Sequence, residues 1–369
     1  MTALSVDHMV KEATARAGPF AGDVPFEANL RRLVESCDGT AALNATGRDV
    51  LHKVAVRHLR NLRYLEDHVA AHPEVGDAPL DGAIVVTGLP RTGTTLLHNL
   101  LACDPTHRIL RFWEALHPVP DHRNSGELQA QAGRWLEGFY RLVPEFRAIH
   151  AATPNGPEEC DALLQNTFAS QHFDDMFDAR DYSAWLASAT LAQEYRHYAL
   201  QLRVLGGGAP WALKSPSHLG HLDALLDVLP GCTVVVCHRH PHEAVASYAS
   251  LIHALRRAYS DAVDPTTVGR QALARTSTAM RRADGVRASR PDATFVDVSY
   301  RALVTDPVAV VRTVYERRGR PLDTGAERRM REWVGANPQH KHGTHRYGLA
   351  EFGLTPDDID AAFAGYSTG

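Results

Sequence analysis

The sequence predicts an α/β protein: a central parallel sheet flanked by helices, with a helical N-terminal extension and a helical insertion over the strand ends. Three observations predict this. Residues 83–87 and 232–238 are short, apolar and rich in β-branched side chains, the pattern of strands buried on both faces. Each such run leads into a helical stretch, and strand–helix alternation builds a parallel sheet. Residues 115–207 carry little β pattern, so they interrupt the alternation as an insertion. In sheets of this kind, ligands bind beyond the carboxyl ends of the strands.

The elements follow in order. Residues 1–78 form the helical extension, because Leu51, Val54, Leu59, Leu62, Leu65 and Val69 recur at helical spacing. Turn signals from Gly76 to Pro79 close it, and residues 79–369 form the main domain. A strand over 83–87 enters a loop bounded by Gly88 and Gly93, and a helix starts at Thr94. Residues 104–114 supply a turn and a short strand-like segment. The insertion at about 115–207 is broken by Pro118, Pro120, Pro154 and Pro157 and ends at Gly206 to Gly208. It is placed to cover the strand ends and to hold a second ligand. A strand ending at Lys214 precedes a helix to Leu229. The strand over 232–238 leads through Arg239 to a helix containing Ser247. A helix over about 265–288, a strand over 293–298 and helices to about 336 complete the domain.

Composition narrows the function. Of 369 residues, 44% are apolar and 22% charged, as in ordinary globular proteins. A net charge of −4 supplies no field for nucleic acid or for an anionic membrane. No apolar run of 18 residues occurs, so no transmembrane helix is expected. The N-terminal residues have neither the basic nor the apolar region of a signal peptide. The five cysteines are scattered, odd in number and without a CxxC pair, as in a cytoplasmic protein with reduced thiols.

The loop carries the chemistry. Backbone N–H groups of a strand–loop–helix converge on one point, and the helix dipole favours an anion there. The spacing Gly88-x4-Gly93 is that of a nucleotide-phosphate loop, yet Thr94 and Thr95 follow where such loops have lysine and a hydroxyl. The cation is Arg91, inside the loop. Such a loop suits a nucleotide whose reactive group is not a terminal, magnesium-bound phosphate.

Pro90-Arg91-Thr92-Gly93-Thr94-Thr95 resembles the 5′-phosphosulfate loop of the P-loop sulfotransferases, which use 3′-phosphoadenosine-5′-phosphosulfate (PAPS). Thr92 stands where that family usually has serine. Arg239-x7-Ser247 resembles the family's arginine–serine pair for the 3′-phosphate, a task that suits a guanidinium and a hydroxyl. The usual aspartate after the arginine is His240 here. Trp211-Ala-Leu-Lys214-Ser-Pro resembles the strand end whose lysine neutralises the oxygen leaving sulfur. Residues 337–353 resemble the loop that closes over the 3′-phosphate, with Lys341, His342, Gly343 and Arg346 as its candidates. The best match is the bacterial branch, over about three quarters of the chain.

The resemblance implies in-line transfer of a sulfuryl group from PAPS to a hydroxyl of a small-molecule or glycan acceptor, with PAP as product. It implies no metal. The histidines 340, 342 and 345, and 238, 240 and 242, lack carboxylate or cysteine partners at ligand spacing. Arg91, Thr92, Gly93, Thr94, Thr95, Arg239 and Ser247 would bind the donor, and Arg91 and Lys214 would stabilise the charge that develops. The general base is Glu114, at the distance from the loop where the tyrosylprotein sulfotransferases carry theirs, or His150, since the cytosolic enzymes use histidine. Glu158 and Glu159 are expected to begin a helix near its positive end. Aromatic residues of the insertion suit an amphipathic or aromatic acceptor. Two other readings stand beside this one: an ATP-dependent kinase, and a nucleotide-binding module without catalysis. A monomer and a homodimer are both compatible with the sequence.

Overall fold

The central strands are buried along their whole length, which is why they read as unbroken apolar runs. They are β1 (Ile84–Gly88), β3 (Trp211–Lys214) and β4 (Thr233–His238). The edges are β2 (Arg108–Ile109) and β5 (Thr294–Ser299). In the computed structural model, which describes residues 4–119, 124–149, 151–206, 208–338 and 347–366, all five run parallel in the order β2-β3-β1-β4-β5. Val85 lies level with Leu213 on one side and Val234 on the other. Their side chains share one face of the sheet, while Ile84, Val86, Ala212 and Val235 point to the opposite face.

The N-terminal helices are α1 (Val6–Ala17), α2 (Glu27–Thr40) and α3 (Ala45–Ala71). Met9, Leu30, Leu33, Leu51 and Leu59 belong to the same core as Val85 and Val234, so the extension is built into the main hydrophobic core. After β1 comes α4 (Thr94–Leu101), whose Leu97, Leu100 and Leu101 cover the second face.

The insertion contains α5 (Phe112–Leu116), α6 (Ser125–Leu142), α7 (Phe146–Ile149), α8 (Asp161–Leu164), α9 (Gln171–Phe177), α10 (Arg180–Ser188) and α11 (Ala192–Leu205). It is fastened to α3 by buried amides. The Asn166 Oδ1 atom accepts from His58 Nδ1 at 2.7 Å and Asn61 Nδ2 at 3.1 Å, and Asn166 Nδ2 donates to Gln201 Oε1 at 2.7 Å. Asn61 also donates to the carbonyl of Leu116.

Beyond β3 the chain forms α12 (Leu222–Val228), and beyond β4 it forms α13 (Pro241–Tyr259) and α14 (Pro265–Ser289). Asp264 caps α14 by accepting from the N–H groups of Thr266 and Thr267, and Pro265 supplies the first helical position. Behind β5 stand α15 (Tyr300–Thr305), α16 (Pro307–Arg317) and α17 (Thr324–Ala336), which with α4 bury Leu303, Val311, Val314 and Met330. α18 (Pro356–Ala362) ends the described chain. Among the described residues no helix is long and apolar enough to cross a membrane.

Candidate active site

The loop between β1 and α4 is shaped by two glycines and a threonine. Gly88 has φ 143°, and a Cβ there would lie 2.4 Å from the carbonyl oxygen of Cys237. Gly93 has φ 91° and packs against Tyr300 and Leu303, which α15 holds in place. Thr92 is buried, and its hydroxyl donates to the carbonyl of Leu89 at 2.7 Å, so it closes the loop on itself. Its side chain therefore helps to shape the loop. Thr94 and Thr95 open α4, and both line the cavity above it.

Cations from separate segments meet beside this loop. Arg91, in the left-handed region at φ 70°, donates from Nε to the Ser247 Oγ atom at 3.3 Å. Arg239, just past β4, donates from Nη1 to the carbonyl of Arg91 at 3.0 Å. Its guanidinium lies 4.4 Å from the centre of the Tyr300 ring and pairs with Glu243 at 2.6 Å. Arg91, Arg239 and Ser247 are thus brought together, although 156 positions separate the first from the last. Burial pulls the pKa of Arg91 down, with Arg239 adding to the effect. The residues flanking the glycine-rich stretch also arrive here. Asn337 and Pro338 line the cavity, and Tyr347 acts electrostatically on Arg91 and Arg239. Lys341, His342, Gly343 and Arg346 themselves lie outside the described residues, as does His150.

Lys214 stands at the other end of the loop. It is 2% exposed, pairs with Glu159, and donates to the Thr95 hydroxyl at 3.4 Å. The Glu158–Glu159 segment lies alongside β2 and β3: Glu158 N–H donates to Leu110 O and Cys160 N–H to Lys214 O. The expected helix starts only at Asp161, so both glutamates precede it and reach the cavity. Burial raises the Glu158 carboxyl to about 7. Behind them Asp161 accepts from the Ser170 hydroxyl, and burial keeps the neighbouring His172 neutral.

Glu114, the general base that the resemblance implies, is held in an ion pair. Arg108 grips both carboxylate oxygens, at 2.6 and 3.0 Å, and the Arg111 N–H donates to one of them at 2.9 Å. The side chain is buried within this pairing and does not line the cavity, so it fixes the start of α5. Chain distance from the loop gave the right neighbourhood, but it carries no information about which way a carboxylate turns.

The cavity holds about 1370 Å³. The loop and Glu159 line it, and the buried Lys214 stands behind Glu159 as its partner. Phe112, Trp135, Phe139 and Phe146 make an apolar wall, with Trp135 stacked on Phe139 at 5.4 Å between ring centres. Of the insertion's aromatic residues, Phe139, Tyr140, Phe146 and Phe173 line this space, while Phe168 and Tyr182 are core. Basic loop, buried lysine, raised carboxyl and apolar wall together can hold a polyanion against a hydroxylated apolar molecule.

Comparison with known proteins gives the same direction. A family model described as "Sulfotransferase family" matches residues 83–324. The sulfotransferase STF1 of Mycobacterium tuberculosis H37Rv is 29% identical over 99% of each chain, with a TM-score of 0.83. The sulfotransferase STF9 of Mycobacterium avium is 30% identical over 97% of this chain and 94% of its own, also at 0.83. No curated protein sequence matches the chain.

Proposed function

The chain belongs to the sulfotransferase family and transfers a sulfuryl group from a sulfate donor to an acceptor; on that premise we propose that the donor is PAPS and the acceptor a hydroxylated molecule with an apolar body. The observation that carries the reading is the meeting of Arg91, Ser247 and Arg239 beside the loop. A phosphosulfate needs one anion site, and the loop with the α4 N-terminus supplies it. This second cluster of cations and a hydroxyl suits a second phosphate, which PAPS carries at the 3′ position. Lys341, His342, Gly343 and Arg346 are proposed to close over that phosphate.

Transfer proceeds in-line and without a metal ion. Glu158, with its carboxyl raised to about 7, takes the proton as the acceptor oxygen attacks sulfur. The bond from sulfur to the bridging phosphate oxygen breaks, and its electron pair stays on the phosphate. Lys214 and the Thr95 hydroxyl neutralise that oxygen as charge develops. Glu159 holds the ammonium in place beforehand, so no reorganisation is needed at the moment of transfer. The aromatic wall of Phe112, Trp135, Phe139 and Phe146 receives the apolar body of the acceptor.

The test is PAP release from PAPS in chelator, with a panel of phenols, sterols, hydroxylated lipids and sugars, for wild type, Lys214→Ala and Glu158→Gln. Sulfation by wild type, with both variants losing at least about 10²-fold in rate, supports the assignment. Transfer that requires a divalent ion, or that survives in both variants, overturns it.

A further inference from the structure

Arg57 projects from α3 into the wall of the same cavity, and its surroundings differ from those of three other arginines that line it. Arg275 pairs with Asp174 and Asp175, Arg180 with Asp178, and Arg239 with Glu243. Among the described residues, no carboxylate lies within ion-pair distance of Arg57. Its polar contact is Nη2 to the His58 Nε2 atom at 3.3 Å, and its Nε is shut away from solvent with no acceptor.

The amide network fixes what His58 can do. Asn166 Nδ2 donates to Gln201, so Asn166 Oδ1 is the acceptor facing His58 Nδ1. That places the proton on Nδ1 and leaves Nε2 to accept from Arg57. His58 is therefore a neutral orienting group, and burial holds it so. The guanidinium is aimed by a neutral partner and keeps most of its donors and its whole charge for something else. Burial alone brings its pKa down to about 10, so it stays cationic at neutral pH. A half-buried, directed cation without an acid favours a ligand that supplies the counter-charge.

Arg57 lines the same cavity as Glu158 and Glu159, and His172 feels the charges of Asp161, Glu159 and Arg57. An acceptor whose hydroxyl meets Glu158 can place a second substituent beside Arg57.

We infer that the acceptor carries an oxyanion, a carboxylate or a phosphate ester, and that Arg57, oriented by His58, binds it. This rests on the reading of the cavity as an acceptor site. It makes the N-terminal helices part of substrate selection, because α3 contributes the selecting side chain.

The experiment titrates PAP-loaded full-length protein by calorimetry with para-hydroxyphenylacetate, para-hydroxyphenyl phosphate and the uncharged para-hydroxyphenylacetamide. Saturating PAP fills the donor phosphate sites first, so a further anion reports on the acceptor pocket. Wild type is expected to bind at least one anionic probe tenfold or more tightly than the amide. Whichever anion is preferred identifies the class. The preference should vanish in Arg57→Ala and in Arg57→Gln, which retains a donor toward His58, while both variants bind PAP as wild type does. Equal binding of all three probes, no binding of any, or a preference that survives in both variants overturns the inference. Failure of wild type to bind PAP counts instead against the donor assignment.

Discussion

Replacing Glu159 by methionine should cost far more stability than replacing its partner Lys214 by methionine. The two side chains pair directly, but their surroundings are unequal: Lys214 is 2% exposed and Glu159 is 26% exposed. Glu159→Met leaves an ammonium in the core with only the Thr95 hydroxyl, 3.4 Å away. Removing one partner of a buried pair in this way costs about 3–5 kcal/mol, because the remaining charge has lost its hydration. Lys214→Met leaves a carboxylate that water can still reach, so the loss should be about 1–2 kcal/mol. The double variant Glu159→Met with Lys214→Met strands no charge and should be more stable than Glu159→Met alone. Urea unfolding of the four proteins gives the cycle, read as midpoint shifts at constant slope. The penalty in Glu159→Met should also shrink as pH rises toward about 10, where an exposed lysine loses its proton and the unfolded chain no longer gains by charging it. Equal losses in the two single variants, with simple additivity in the double, would refute the placement of Lys214 in a closed pocket against Glu159.

The pH profile should carry the signature of Glu158. Its carboxyl is raised to about 7 by burial, and the deprotonated form is the base, so kcat/KM should rise through about pH 7 and then level. Glu158→Gln should lose that limb along with about 10²–10⁴ in rate, and a rising limb that persists in the variant counts against the role. Gly88→Ala drives a Cβ to 2.4 Å from Cys237 O in a backbone conformation that side chains avoid, and should lose about 2 kcal/mol or more in a denaturant melt. Asn166→Ala strands His58, Asn61 and Gln201 in the core and should cost about 3 kcal/mol; a loss under about 1 kcal/mol would mean that α3 is held by other contacts.

Much of the fold was readable because its signals are local. Two of the central strands, β1 and β4, announce themselves as apolar runs, and Lys214 and Arg239 stand at or just past strand ends, where topology directs ligands. Ser247 could be placed because helical spacing fixes it relative to Arg239. What escaped depends on contacts between distant segments. Glu158 and Glu159 sit in the cavity because residues 158–160 hydrogen-bond to Leu110 and Lys214, a pairing that no local pattern announces. The available signal was two adjacent acids ahead of a helix start, which equally suits a helix cap. Glu114 is held in its pair because Arg108, lying over the Trp211 ring at 4.8 Å, captures it. Arg57 was not singled out, because what marks it is its contact with His58 and the buried amide network behind it.

The central claim is that Arg239, with Arg91 and Ser247, reads a 3′-phosphate. Calorimetric titration in chelator with PAP and with adenosine 5′-phosphate, which lacks that group, tests it most directly. Two charge-assisted contacts predict that wild type binds PAP about a hundredfold or more tightly than adenosine 5′-phosphate. In Arg239→Ala the two nucleotides should become nearly equal, with adenosine 5′-phosphate bound as before. Equal affinities in wild type, or a preference for PAP that Arg239→Ala leaves intact, would contradict the account.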